Sequence, residues 1–96
     1  MRVRWSPQSR AHLIVIRAYI RERDTAAAER VRLRIIETIR LFAALPRLGH
    51  GGRKQGTREF AIPRLPYIIV YRIDIGDDDE LVILGIFHGA QEQRHF

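Results

Sequence analysis

A chain of 96 residues, 46% hydrophobic and 29% charged, is long enough for one globular domain and too short for a deep enclosed cofactor cavity. The composition excludes a disordered chain, no apolar run reaches the length of a membrane helix, and the opening MRVRWSPQ lacks the apolar core of a signal peptide, so a cytoplasmic protein with no membrane partner is expected. The net charge is +6, and because five acids (Asp74, Asp77, Asp78, Asp79 and Glu80) fall in one short segment, the rest carries 17 basic against 6 acidic residues, a net of +11 that seeks an anionic partner, either nucleic acid or acidic protein.

Residues 3–5 alternate around Arg4 and predict a short strand. Ser6 followed by Pro7 is a helix start: the serine side chain accepts a first-turn N–H, and proline takes the first helical position, where no N–H is needed. The helix is predicted over residues 7–23, with Leu13, Ile16 and Ile20 on one side and Gln8, Arg10, Arg17 and Arg21 on the other. Asp24 or Thr25 caps a second helix, residues 26–45, whose apolar stripe is Ala28, Val31, Ile35, Ile39 and Phe42, with Arg30, Arg34, Glu37 and Arg40 on its solvated face. With almost no linker between them, the two helices make an αα-hairpin. Pro46 stops the second helix. The following PRLGHGGRKQG is expected to be a mobile polar loop whose Arg53 and Lys54 are available to a partner. It is no phosphate-binding loop, because no strand precedes its glycines and no GK[ST] ends it.

From Thr57 the hydrophobic period changes to two. Residues 57–62 predict a strand with Phe60 and Ile62 on one face, 63–66 a turn, 67–73 a second strand, 74–80 an acidic loop and 81–88 a third strand. The order predicts one α+β domain over residues 1–96: an N-terminal strand, an αα-hairpin, then a three-stranded antiparallel meander, with the helices packed on one face of the sheet. Pairing Ile73 with Leu81 across the acidic loop sets Arg72 opposite Val82 and Ile68 opposite Ile86. Tyr67, Ile69, Tyr71, Ile73, Leu81, Ile83 and Phe87 then share one face, and Ile68, Val70, Val82, Leu84 and Ile86 the other. One face must pack on the helices; the other is expected to form an apolar groove for a partner.

WSPQSRAHL, LPRLG, GTREF, PYIIVYRI before an acidic turn, and LVILGIFHGAQ, in this order and spacing, resemble the RelE/ParE superfamily of toxins from bacterial type II toxin–antitoxin modules, over nearly the whole chain. The resemblance implies a toxin neutralised by a cognate acidic antitoxin laid over its surface as an extended or helical segment. It also implies one of two activities. RelE-like members cut messenger RNA in the ribosomal decoding site, whereas ParE-like members bind DNA gyrase and trap its cleaved complex.

Cleaving RNA through the 2′-OH needs a base, cations to neutralise the phosphorane and an acid for the leaving 5′ oxygen. The resemblance places these on the open face of the sheet, including the first arginine of a YR-x-x-Y-R pattern, where this chain has Ile68. An aliphatic side chain cannot stabilise a phosphorane, and losing one such contact costs roughly 10²–10³ in rate. Arg72 is four residues farther along the strand, roughly 13 Å at ~3.3 Å per residue. On the nuclease reading the catalytic set is Arg58, Arg72, His88 and Arg94. On the binding reading the partner surface is Arg58, Ile68, Val70, Arg72, Leu84, Ile86, His88, Gln91, Arg94, His95 and Phe96. Structural roles compete: His88 fixing the Gly89 turn, Arg58 in a salt bridge, Arg72 paired with Asp74, and the tail as a frayed terminus. His12, His50, His88 and His95 show no metal-ligand spacing, and neither metal nor cofactor is expected. These residues favour a ParE-like toxin that acts on gyrase by binding; the alternatives are a ribosome-dependent endoribonuclease and a non-toxic basic protein-binding module.

Overall fold

The computed structural model describes residues 1–89. Strand β1 (Arg2–Trp5) leads into α1 (Pro7–Arg21) and α2 (Thr25–Ala44), followed by β2 (His50–Gly51), β3 (Arg58–Ala61), β4 (Tyr67–Asp74) and β5 (Glu80–His88). The helix starts are those the sequence predicts. Ser6 accepts the Ser9 N–H at 3.1 Å with Pro7 at the first helical position, and Asp24 accepts the Ala27 N–H at 3.0 Å. Such caps satisfy donors that the first turn leaves without partners.

The strands form one five-stranded sheet in the order β1-β5-β4-β3-β2, with β1 parallel to β5 and the other neighbours antiparallel. One strand more than expected appears because the glycine-rich connection is ordered rather than mobile. His50 and Gly51 pair with Glu59 and Arg58, the Gly52 N–H donates to Thr57 O at 2.8 Å, and buried Glu59 accepts the Arg53 N–H at 2.9 Å. Hydrogen bonds to its backbone, from other backbone groups and from the Glu59 carboxylate, order this segment in place of an apolar pattern.

The core lies between α2 and one face of the sheet. Ile35, Ile39 and Phe42 of the predicted stripe meet Ile62, Tyr67, Ile69, Tyr71, Leu81, Ile83 and Ile86, with Leu13 and Ile16 of α1 packed alongside. Fully buried Tyr71 stacks on Phe42 with ring centroids 4.4 Å apart. Its hydroxyl donates to Pro46 O and accepts the Gly49 N–H, both at 2.8 Å, so the turn after α2 is fastened to the central strand. Only glycine fits at position 49, because a Cβ there would stand 2.8 Å from Glu59 O and 2.9 Å from the Tyr71 hydroxyl.

The β4–β5 register begins as predicted, with Ile73 opposite Leu81 and Arg72 opposite Val82, and then slips. Tyr71 faces Ile83 but Val70 faces Gly85, which leaves Leu84 as the extra residue of a β-bulge. Beyond the bulge Ile69 pairs with Ile86, Ile68 with Phe87 and Tyr67 with His88. This corrects two expectations. Ile68 does not face Ile86, and Ile86 and Phe87 exchange faces: Ile86 enters the core, while Phe87 lies over Gly85, where a Cβ would come within 2.4 Å of the phenyl ring.

Candidate partner surface and the predicted catalytic residues

The expected apolar groove on the open sheet face is not there. Val70 is 0%, Val82 1% and Ile86 3% exposed, and only Ile68 and Leu84 of the five residues predicted on that face are even partly accessible. Val70 sits between Glu59 of β3 and Gly85 of β5, and Ile86 has been turned inward by the bulge. The same face carries charge instead. Arg2 and Arg4 both donate to Glu80 at 3.1 Å, and Arg72 Nε donates to Asp74 at 2.9 Å. The hydrogen bond from Arg2, then that from Arg4, lowers the Glu80 carboxyl below its ordinary pKa. Two acids of the acidic segment are therefore spent within the fold, as is Arg72.

The predicted catalytic residues are not brought together. Arg58 is opposite Tyr71, and its guanidinium donates to the carbonyls of Arg47 and Gly49, where it closes the turn after α2. His88 is opposite Tyr67, edge-on to that ring at a centroid distance of 6.0 Å. Tyr71 and Tyr67 are four residues apart on β4, so Arg58 and His88 are separated by about 13 Å along the strand direction alone. Arg72 lies at the Arg58 end on the opposite face, as the alternation of side chains along β4 requires. Arg94, with Gln91, His95 and Phe96, lies outside the described residues. Among the described residues no group of three or more His, Cys, Asp or Glu is placed to hold a metal ion, and no helix is long and apolar enough to cross a membrane.

A large accessible apolar surface lies on α1. Ile14, Val15 and Tyr19 are 68%, 66% and 58% exposed, and with the exposed Ala11 and Ala18 they line one side of the helix at i, i+3, i+4 and i+7 spacing. Arg10, Arg17 and Arg21 line one edge of the stripe, and α1 contains no acidic residue. Arg23 stacks over the Tyr19 ring at 4.3 Å. Val15 and Tyr67 line one cleft, and burial, then the neighbouring Tyr19, raises the Tyr67 phenol above its ordinary pKa. Sequence reasoning assigned α1 a solvated polar side and missed this surface. The signal was present, since Ile14, Val15 and Tyr19 between the core positions make the helix apolar on both sides. This exposed apolar stripe, edged by arginines, is a candidate protein-binding surface.

Comparison with known proteins gives the geometry a family. Residues 3–93 match the family model described as ParE toxin of type II toxin-antitoxin system, parDE. The chain belongs to the ParE toxin family. The candidate toxin Y4kP of Sinorhizobium fredii is 37% identical over 91 residues, covering 95% of this chain and 91% of that protein. A structure titled as a chromosomal ParDE system from P. aeruginosa superposes with a TM-score of 0.81, covering 92% of this chain and 95% of that one. A YoeB/ParE toxin from Agrobacterium tumefaciens gives 0.60, with 92% and 98% covered. Both structures are 21% identical to this chain, so the likeness they show is one of fold. The protein is thus the toxin component of a ParDE-type module, a family defined with a cognate antitoxin.

Proposed function

We propose that this ParE-family toxin acts in the cytoplasm by binding DNA gyrase and holding its cleaved complex, and that its acidic antitoxin seats on the exposed stripe of α1. The observation that carries the first part is the state of the nuclease positions. Ile68 is aliphatic and half-buried opposite Phe87, Arg58 is engaged by the Arg47 and Gly49 carbonyls, and Arg72 is paired with Asp74. A phosphorane needs preorganised cations aimed at it, and these arginines are oriented elsewhere. Poisoning by binding needs only a complementary surface. The second part rests on charge and exposure: α1 offers apolar contact beside an edge of Arg10, Arg17 and Arg21, which complements an amphipathic segment with one acidic side.

Programmed ribosomes test the choice of target. Purified toxin added to ribosomes stalled on defined codons should leave the messenger intact at a toxin concentration equal to that of the ribosomes. Cleavage in the decoding site that disappears with His88→Ala would refute the binding reading and assign the nuclease activity.

A further inference from the structure

Strand β1 is paired with β5 only as far as Trp5 opposite Ile83, after which the chain turns into α1 while β5 runs on to His88. The outer edge of β5 therefore loses its strand neighbour, and side chains from the start of α1 take over. Ser6 Oγ donates to Leu84 O at 3.3 Å, and Nδ1 of His12 accepts the Ile86 N–H at 3.0 Å. A ring nitrogen that accepts carries no proton, so His12 is held as the neutral Nε2–H tautomer. On protonation Nδ1 becomes a donor facing a donor, and the hydrogen bond is lost.

Among the described residues the surroundings offer the imidazolium no carboxylate. His12 packs edge-on to Phe87 at 4.9 Å, and the two rings occupy the space over Gly85, where a Cβ would stand 3.1 Å from the His12 ring. Beside them is an open cleft of 340 Å³ between α1 and the ends of β4 and β5. Among the described residues its titratable groups are His12 from α1, Tyr67 from β4 and His88 from β5, and no carboxylate lines it. One turn away on α1, Gln8, Ser9, Val15 and Ile16 are uncharged.

We propose that His12 is a proton-operated latch between α1 and β5: neutral, it holds the strand edge against the helix; protonated in mild acid, it releases Ile86 and opens the cleft. Burial lowers the His12 pKa below the ordinary 6.5, and the sign follows. The neutral ring is the form the fold favours, so the latch contributes fully above the unfolded value and is lost as pH falls through the lower folded value.

Nuclear magnetic resonance on the labelled full chain tests this. At pH 7.5 the His12 ring should show the Nε2–H tautomer. As the pH is lowered, the protection factor of the Ile86 amide should fall at least tenfold, with the midpoint of the His12 ring titration, while the Ile69 amide in β4 keeps its protection. His12→Asn retains an acceptor at the same chain position that does not titrate, and should flatten the Ile86 profile; His88→Asn should leave it as in the natural chain. Where His12→Asn fails to fold, coincidence of the two midpoints in the natural chain decides. A His12 titration without a response at Ile86, an unchanged profile in His12→Asn, or simultaneous loss at Ile69 would overturn the latch.

Discussion

Replacing Phe42 by alanine should lower the free energy of unfolding by about 3–5 kcal/mol, measured by urea denaturation at neutral pH. The ring is fully buried, stacks on Tyr71 and meets Phe60 edge-on at 5.9 Å, so its removal leaves a cavity between α2 and the central strand that no neighbour can fill. Small domains have only about 5–15 kcal/mol in all, and the variant should be close to unfolded at growth temperature. Tyr71→Phe isolates the polar part of the same contact. It keeps the stacked ring but deprives the Gly49 N–H and Pro46 O of their partner, a loss of about 1–3 kcal/mol. A loss below about 1 kcal/mol for Phe42→Ala would mean that the helix hairpin is not seated on the sheet through this stack.

Converting the α1 stripe to acid should abolish antitoxin capture without unfolding the toxin. The double variant Ile14→Glu, Val15→Glu removes two exposed apolar side chains from beside the arginine edge and adds charge of the partner's own sign. Removing central apolar anchors typically costs about 2 kcal/mol or more each, and repulsion adds to that, so the dissociation constant should rise on the order of 100-fold or more by titration calorimetry. Both positions face solvent, and the melting transition should move little. Ile75→Glu is the control: this residue is 72% exposed in the acidic turn, away from α1, and should change the constant less than about threefold. Equal losses for both variants would point to general charge attraction instead of a seat on α1.

Local chemistry was legible in the sequence wherever neighbours in the chain decide it. Ser6 and Asp24 start the helices, the acidic turn sets Ile73 opposite Leu81, and Arg72 pairs with Asp74 two residues on. What escaped reading depends on residues far apart in sequence. The bulge at Leu84 arises where β1 ends and Ser6 and His12 replace it as partners of β5, over separations of 78 and 74 residues. Gly85 inside a strand was the available sign, since an interior glycine marks a bulge or a close approach. Because one inserted residue exchanges the faces of everything beyond it, the error propagated to Ile86 and Phe87 and produced an apolar groove that the fold does not have. Arg58 was read as a partner-binding or catalytic cation because its acceptors, the carbonyls of Arg47 and Gly49, are backbone groups invisible to a pattern of side chains.

Poisoning of gyrase by binding is decided by incubating purified, antitoxin-free toxin with gyrase, supercoiled plasmid and ATP, then trapping covalent complexes with detergent. Linearised plasmid should increase with toxin concentration and disappear when the antitoxin is added first. Unimpaired supercoiling with no trapped breaks at saturating toxin, alongside codon-specific cleavage of messenger on ribosomes, would contradict it.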